Sequence, residues 1–98
     1  VNISTISLTA PTVGGTPATA PSGPITDFFD IVFEWLAGGS VFNGSTFAAT
    51  TDYDARITLT PKATYGLKVD NLPTTFYVLG ASATRTAGTI TIDFPALP

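Results

Sequence analysis

Carboxylates are the only plentiful side chains in this sequence whose chemistry could support a reaction or bind a ligand. The 98 residues contain seven Asp and Glu, four Lys and Arg, and neither His nor Cys. The chain therefore lacks the commonest general base, the commonest transition-metal ligand, thiol nucleophiles and disulfides. Paired carboxylates hydrolyse glycosides within a cleft, and we expect no deep cleft in so short a chain. The sequence thus predicts a protein that is not an enzyme.

Calcium is the cofactor that these carboxylates could bind, because it takes about six to eight oxygen ligands. Asp52 and Asp54 lie two residues apart in a predicted strand and so point to the same side of it. Asp27 and Asp30 lie close together in a loop-like run. Neither pair belongs to the Asp-rich loop motif of calcium-binding hands. Both pairs are candidate metal ligands, although the favoured alternative is that they are solvated surface carboxylates. No other cofactor is predicted.

Aromatic side chains are the second group that could bind a ligand, because sugars stack on exposed rings. Trp35 is the one tryptophan; it lies within the densest apolar run and is predicted to belong to the core. Phe76 and Tyr77 are adjacent on a predicted strand and must face opposite sides. We expect Tyr77 and Tyr65 to point outward, which makes them the candidate ligand residues.

The elements that must hold these residues are predicted to be β-strands. Tyr53, Ala55, Ile57 and Leu59 alternate with polar residues, and Pro61 follows them. This period of two is typical of a half-buried strand. The same pattern returns before the C-terminal residues. Strands are predicted within residues 1–9, 25–37, 52–60, 74–79 and 89–94.

Turn signals separate these strands. The run 25–37 also fits helical spacing, but its length and its aromatic and β-branched residues favour a strand. Asn43-Gly44 predicts a hairpin turn, and the polar stretch 81–87 is expected to connect strands. Short strands about 8–15 residues apart, without an intervening helix, indicate an all-β sandwich or barrel.

Composition limits the organisation and the partners of the chain. A length of 98 residues fits one domain over residues 1–98, and 44% hydrophobic residues can fill one core. The net charge is −3 without a basic cluster, so nucleic acid is not an expected partner. No apolar run approaches the length that crosses a bilayer, so membrane insertion is not expected. Because Met is absent, we expect the domain to be excised from a longer protein.

The order of the strand and turn motifs resembles a known family of repeats. The pattern runs from spaced prolines to an aromatic strand with Trp, a Tyr-x-Ala-x-Ile-Thr-Leu-Thr-Pro-Lys strand, and a Gly-x-Ile-Thr ending. It resembles the Ig-like modules found in tandem in bacterial surface and S-layer-type proteins. The elements that carry the resemblance are Pro11 to Pro17, Trp35, Phe42 or Phe47, Thr51 to Lys62, Tyr65-Gly66, Phe76 to Ala81, and Gly88 to Pro95.

This resemblance implies an Ig-like β-sandwich of about seven short, mostly antiparallel strands. It also implies that the Tyr53 hydroxyl bonds to the preceding backbone, as in a tyrosine corner. The expected function is that of an extracellular structural spacer or stalk repeat on the bacterial cell surface, whose partners are flanking domains of the same chain. The alternative is a carbohydrate-binding or adhesive module that contacts a glycan or cell-wall polymer through a sheet face or loop end.

Overall fold

The chain forms one curled antiparallel β-sheet in a computed structural model that describes residues 4–62 and 68–98. The strand order is β2-β1-β3-β6-β5-β4, and every neighbouring pair is antiparallel. The predicted all-β class is therefore confirmed. The elements are α1 (Ile25–Phe28), β1 (Phe29–Ala37), β2 (Ser40–Phe42), β3 (Tyr53–Pro61), a 3-10 helix (Val69–Asn71), β4 (Thr75–Val78), β5 (Ala81–Thr86) and β6 (Thr89–Asp93).

The predicted alternation in β3 is confirmed by its burial. Ala55 and Ile57 are fully buried, and the intervening Arg56 side chain is partly exposed. Ile57 lies opposite Phe33 of β1 and Ile90 of β6. Because β3 is paired on both sides, its inward residues form the centre of the hydrophobic core.

Segments outside the sheet close the core on its open side. Ile6, Ile25, Phe47 and Leu72 come from such segments, and each is at most 4% exposed. The N-terminal segment is tied to β4, because the Ile6 N–H donates to the Tyr77 carbonyl oxygen at 2.9 Å. The predicted first strand is thus reduced, in its described part, to single bridges at residues 5 and 7.

The prediction of a hairpin turn at Asn43-Gly44 is wrong. The turn lies five residues earlier, at Gly38 and Gly39, where Ala37 of β1 pairs with Ser40 of β2. The two glycines have φ angles of 58° and 88°. The type I′ turn, one of the two-residue turns that match the strand twist, needs positive φ at both positions, which glycine adopts without strain.

Two other segments differ from their predicted structure. Residues 25–28, assigned to a strand, form one helical turn that follows Pro24, whose φ is −58°. Proline fixes φ in this range and therefore suits the start of a helical turn. Residues 81–86, expected to be a polar connection, form β5. Ala83 of β5 is buried opposite Ile92 of β6, so this strand also contributes an inward side chain to the core.

Aromatic rings fill the end of the core near the start of β3. Trp35 is 5% exposed, as the sequence predicts, and its indole N–H donates to the Ala18 carbonyl oxygen at 2.9 Å. The ring of Tyr53 lies 4.7 Å from that of Phe47, centroid to centroid. The Ala48 N–H donates to the Tyr53 hydroxyl oxygen at 2.8 Å, which is the backbone contact expected of this tyrosine. This bond fixes the segment before β3 onto the core.

Replacing Tyr53 with Phe should lower the free energy of unfolding by about 1 kcal/mol, the net value of a typical hydrogen bond. The ring would keep its packing, so the loss isolates the bond to Ala48. Urea denaturation of the variant measures it. Tyr77→Phe is the matched control, because the Tyr77 side chain is 60% exposed. This variant should have the same free energy of unfolding as the parent protein. Equal midpoints for both variants would contradict the structural role of the Tyr53 hydroxyl.

Candidate functional site

Three carboxylates meet at the end of the sheet where the central strand β3 begins and its neighbour β6 ends. Asp54 of β3 lies directly opposite Asp93 of β6, and Asp52 immediately precedes β3. One oxygen of each carboxylate lies within 4.8 Å of the others. We call Asp52, Asp54 and Asp93 the carboxylate cluster. Within residues 4–62 and 68–98, no other group of three potential metal ligands comes this close together.

The electrostatics of the carboxylate cluster are dominated by Asp54. Its Oδ1 atom is shielded from solvent and accepts no hydrogen bond within the described residues. The pKa of Asp54 is raised to about 6, mainly because burial disfavours its charged form and also because its protonated form hydrogen-bonds to Asp93. The negative charges of Asp93 and Asp52 act in the same direction. The neutral form of Asp54 is therefore favoured over a wider pH range than in the unfolded chain.

The predicted metal ligands are only partly brought together. Asp52 and Asp54 do share one side, and three carboxylate oxygens could contribute to a calcium site. Asp27 instead lies in α1 and Asp30 in β1, and neither belongs to the carboxylate cluster. Calcium binding stays a prediction. Asp93 was missed as a site residue. Its outward position between Ile92 and Phe94 could be predicted from the alternation in the sequence, but its pairing with Asp54 depends on the register between β3 and β6.

The candidate ligand tyrosine Tyr77 lies on an open surface, while Tyr65 falls outside the described residues. Tyr77 is 60% exposed and Phe76 is 3% exposed, so the predicted opposite orientation is confirmed. Tyr77 lines a shallow groove between the N-terminal segment and β4, together with Leu79, which is 74% exposed. Its remaining lining is apolar or hydroxyl-bearing: Thr5, Ile6, Ser7, Leu8, Thr9, Ala10, Ala18, Ala20, Ser22 and Gly80.

Comparison of the chain with protein-family models, with curated proteins and with solved structures finds no match. Among the described residues, no helix combines the length and apolar character that crossing a membrane requires.

Asp54→Asn should raise the free energy of unfolding at neutral pH and have little effect below pH 4. The pKa of Asp54 is near 3.8 without the fold and about 6 within it. The folded state therefore binds the Asp54 proton more tightly than the unfolded state does. The stability that this proton contributes is lost as pH rises from about 4 to about 6. Asparagine stays neutral throughout.

Thermal unfolding of both proteins at pH values between 3.5 and 8 measures this difference. Asp30→Asn is the control, since Asp30 is an exposed carboxylate outside the cluster. A stability gain of Asp54→Asn that is the same at all pH values would contradict the titration of Asp54.

Proposed function

We propose that this domain is a non-enzymatic structural spacer, one Ig-like repeat of an exported bacterial surface protein, whose partners are flanking domains of the same chain. The observation that carries the proposal is that the N-terminal segment and the last strand of the sheet run in the same direction. The repeat-like order of motifs in the sequence supports the proposal independently of that geometry.

The first described segment and the last strand run in the same direction. Thr5 pairs in parallel with β4, β4 is antiparallel to β5, and β5 is antiparallel to β6. Two reversals restore the original direction, so the N-terminal segment and β6 are parallel to each other. Flanking domains attached at the two ends would therefore continue along one line, provided that the strands follow the long axis of the domain.

The dimensions of the domain indicate that the strands do follow this axis. The domain measures 42 × 20 × 19 Å. The nine-residue strands β1 and β3 extend for about 30 Å at the usual rise per residue. Such a length exceeds both short dimensions, so the strands lie mainly along the 42 Å axis. Successive copies would thus be stacked end to end, and each would add close to its full length to a stalk.

The outer face of the sheet fits a passive role. Thr58, Thr89 and Thr86 lie side by side on neighbouring strands. The charges near them are mutually compensated, because the Arg56 Nε–H donates to Glu34 Oε1 at 2.8 Å. Threonine is β-branched and polar, and it stabilises an exposed strand without presenting a strong charge. This part of the outer face, away from the carboxylate cluster, favours a stable unit that does not attract charged partners.

Two directly fused copies of the chain should form an extended rod. Small-angle X-ray scattering should give a maximum dimension close to twice the 42 Å of one domain. The same two copies joined by a long Gly/Ser linker form the control, because such a linker is a flexible coil. The linked protein should populate a broad range of sizes. Side-by-side packing of the directly fused copies would contradict the spacer proposal.

A glycan-binding or adhesive module is the second candidate function, supported by the exposed ring of Tyr77. Among the described residues that line its groove, none carries a charged side chain. A neutral sugar could stack on the ring and bond to hydroxyls such as those of Ser7 and Ser22. Uncharged glycans are therefore the ligand class that this groove suits, whereas acidic polymers would find no cation among its described lining residues.

A glycan array probed with the isolated domain tests this second function. Binding to a neutral glycan should fall at least several-fold in Tyr77→Ala and persist in Tyr77→Phe, which keeps the ring. Val32→Ala is the surface control, since Val32 is 63% exposed and lies outside the groove. A signal that Tyr77→Ala leaves unchanged would exclude this groove, and no signal at all would favour the spacer alone.

A further inference from the structure

The Asn43-Gly44 sequence forms no hairpin turn, and its actual setting has a chemical consequence. Asn43, Gly44 and Ser45 are exposed and lie in the irregular segment between β2 and β3. We propose that Asn43 is a self-modification site, at which the backbone nitrogen of Gly44 converts the side-chain amide into aspartate and isoaspartate. The substrate is the amide of Asn43 itself, and water is the co-reactant. This inference is independent of the proposed spacer function.

The attacking nitrogen is available in the folded state. The Gly44 N–H makes no hydrogen bond to any described residue. A backbone nitrogen held in a strand or a turn would first have to break such a bond. Glycine also lacks the side chain that would hinder approach of the nitrogen to the Asn43 side chain, and its backbone reaches conformations closed to other residues. The Gly44 nitrogen and the side-chain carbonyl carbon of Asn43 thus belong to neighbouring residues, and their proximity accelerates the reaction between them.

The reaction balances with water as its only added reactant. The Gly44 nitrogen gives its proton to a solvent base and forms a bond to Cγ of Asn43. The Cγ–Nδ2 bond breaks, and the side-chain nitrogen takes up a proton and leaves as ammonia. Water then adds to one of the two carbonyl carbons of the resulting cyclic imide and opens the ring. Opening on one side gives aspartate, and opening on the other gives isoaspartate; nothing is oxidised or reduced.

Asn71 provides an internal comparison within the same chain. The nitrogen that would attack its side chain is that of Leu72, which donates a hydrogen bond to the Val69 carbonyl oxygen at 3.1 Å. Leu72 is also 4% exposed and bears a bulky side chain that anchors the 3-10 helix to the core. Both features oppose the reaction at Asn71. The fold therefore distinguishes the two positions by the residue that follows each asparagine, which differs in its backbone hydrogen bond, its burial and its size.

The product would change the charge of a specific surface. Asn43 lines a small hollow with Glu34, Trp35 and Phe42. Conversion of its amide to a carboxylate adds one negative charge to a chain whose net charge is −3. The new carboxylate would lie in the same hollow as Glu34, and the isoaspartate product would also lengthen the backbone before β3.

Incubation of the folded protein at mildly alkaline pH, followed by peptide mapping, tests the proposal. Asn43 should lose its amide while Asn71 keeps it, and a more acidic charge variant should accumulate together with ammonia. Both aspartate and isoaspartate should be found at position 43. Survival of the Asn43 amide for as long as that of Asn71, or formation of aspartate alone, would overturn the proposal.

The control variant is Asn43→Gln, whose longer side chain would have to close a larger ring. The acidic variant should then be lost, and its appearance at the parent rate would place the reaction elsewhere. Gly44→Ala is unsuitable as a control, because its Cβ would lie 2.6 Å from Cζ of Phe42 and would disturb the segment.

A distant destabilising change shows whether the reaction occurs in the folded protein. Ile90 is fully buried in β6, and Ile90→Val should raise the unfolded fraction several-fold. Reaction within the fold predicts an unchanged rate at Asn43 in this variant. A rate that rises in proportion to the unfolded fraction would overturn the assignment to the folded state.

Discussion

The described structure depends on one constraint: a single sheet has one apolar face, and that face must be removed from water. A flat sheet cannot meet this requirement without a second layer, so the six strands curl around their own inward side chains. Irregular segments then cover the remaining opening with Ile6, Ile25, Phe47 and Leu72. The bond from Ala48 to Tyr53 matters for this reason, because it holds one of these segments in place.

The strength of the local pattern explains which strands could be predicted. In β3 and β6, large apolar residues such as Ile57 and Ile90 alternate with polar ones, and tertiary structure agrees with that pattern. In β5 the inward position is occupied by Ala83, which is too small to produce a clear period. The Asn43-Gly44 turn signal was misleading because the hairpin turn lies earlier in the chain, at Gly38 and Gly39.

The candidate sites show the same division between local and long-range information. Local alternation is sufficient to place Asp52 and Asp54 on one side of a strand. It also predicts that Tyr77 and Phe76, which are neighbours in sequence, face opposite sides of the sheet. The meeting of Asp54 with Asp93 depends on the pairing of strands that are far apart in sequence. A shift of one residue in that register would turn Asp93 to the opposite face. The raised pKa of Asp54 results from burial and from the facing Asp93, so it depends on this pairing and could not be predicted from either strand alone.

The short length of β2 has a consequence for self-association. It pairs only with residues 35–37 of β1, so residues 30–34 present a strand edge that no other described residue pairs with. Such an edge is a template for aggregation. If two copies joined there in antiparallel fashion about Val32, Asp30 of each would face Glu34 of the other. Like charges directly opposite each other are destabilising. Asp30 and Glu34 thus disfavour pairing of two copies through this uncovered edge.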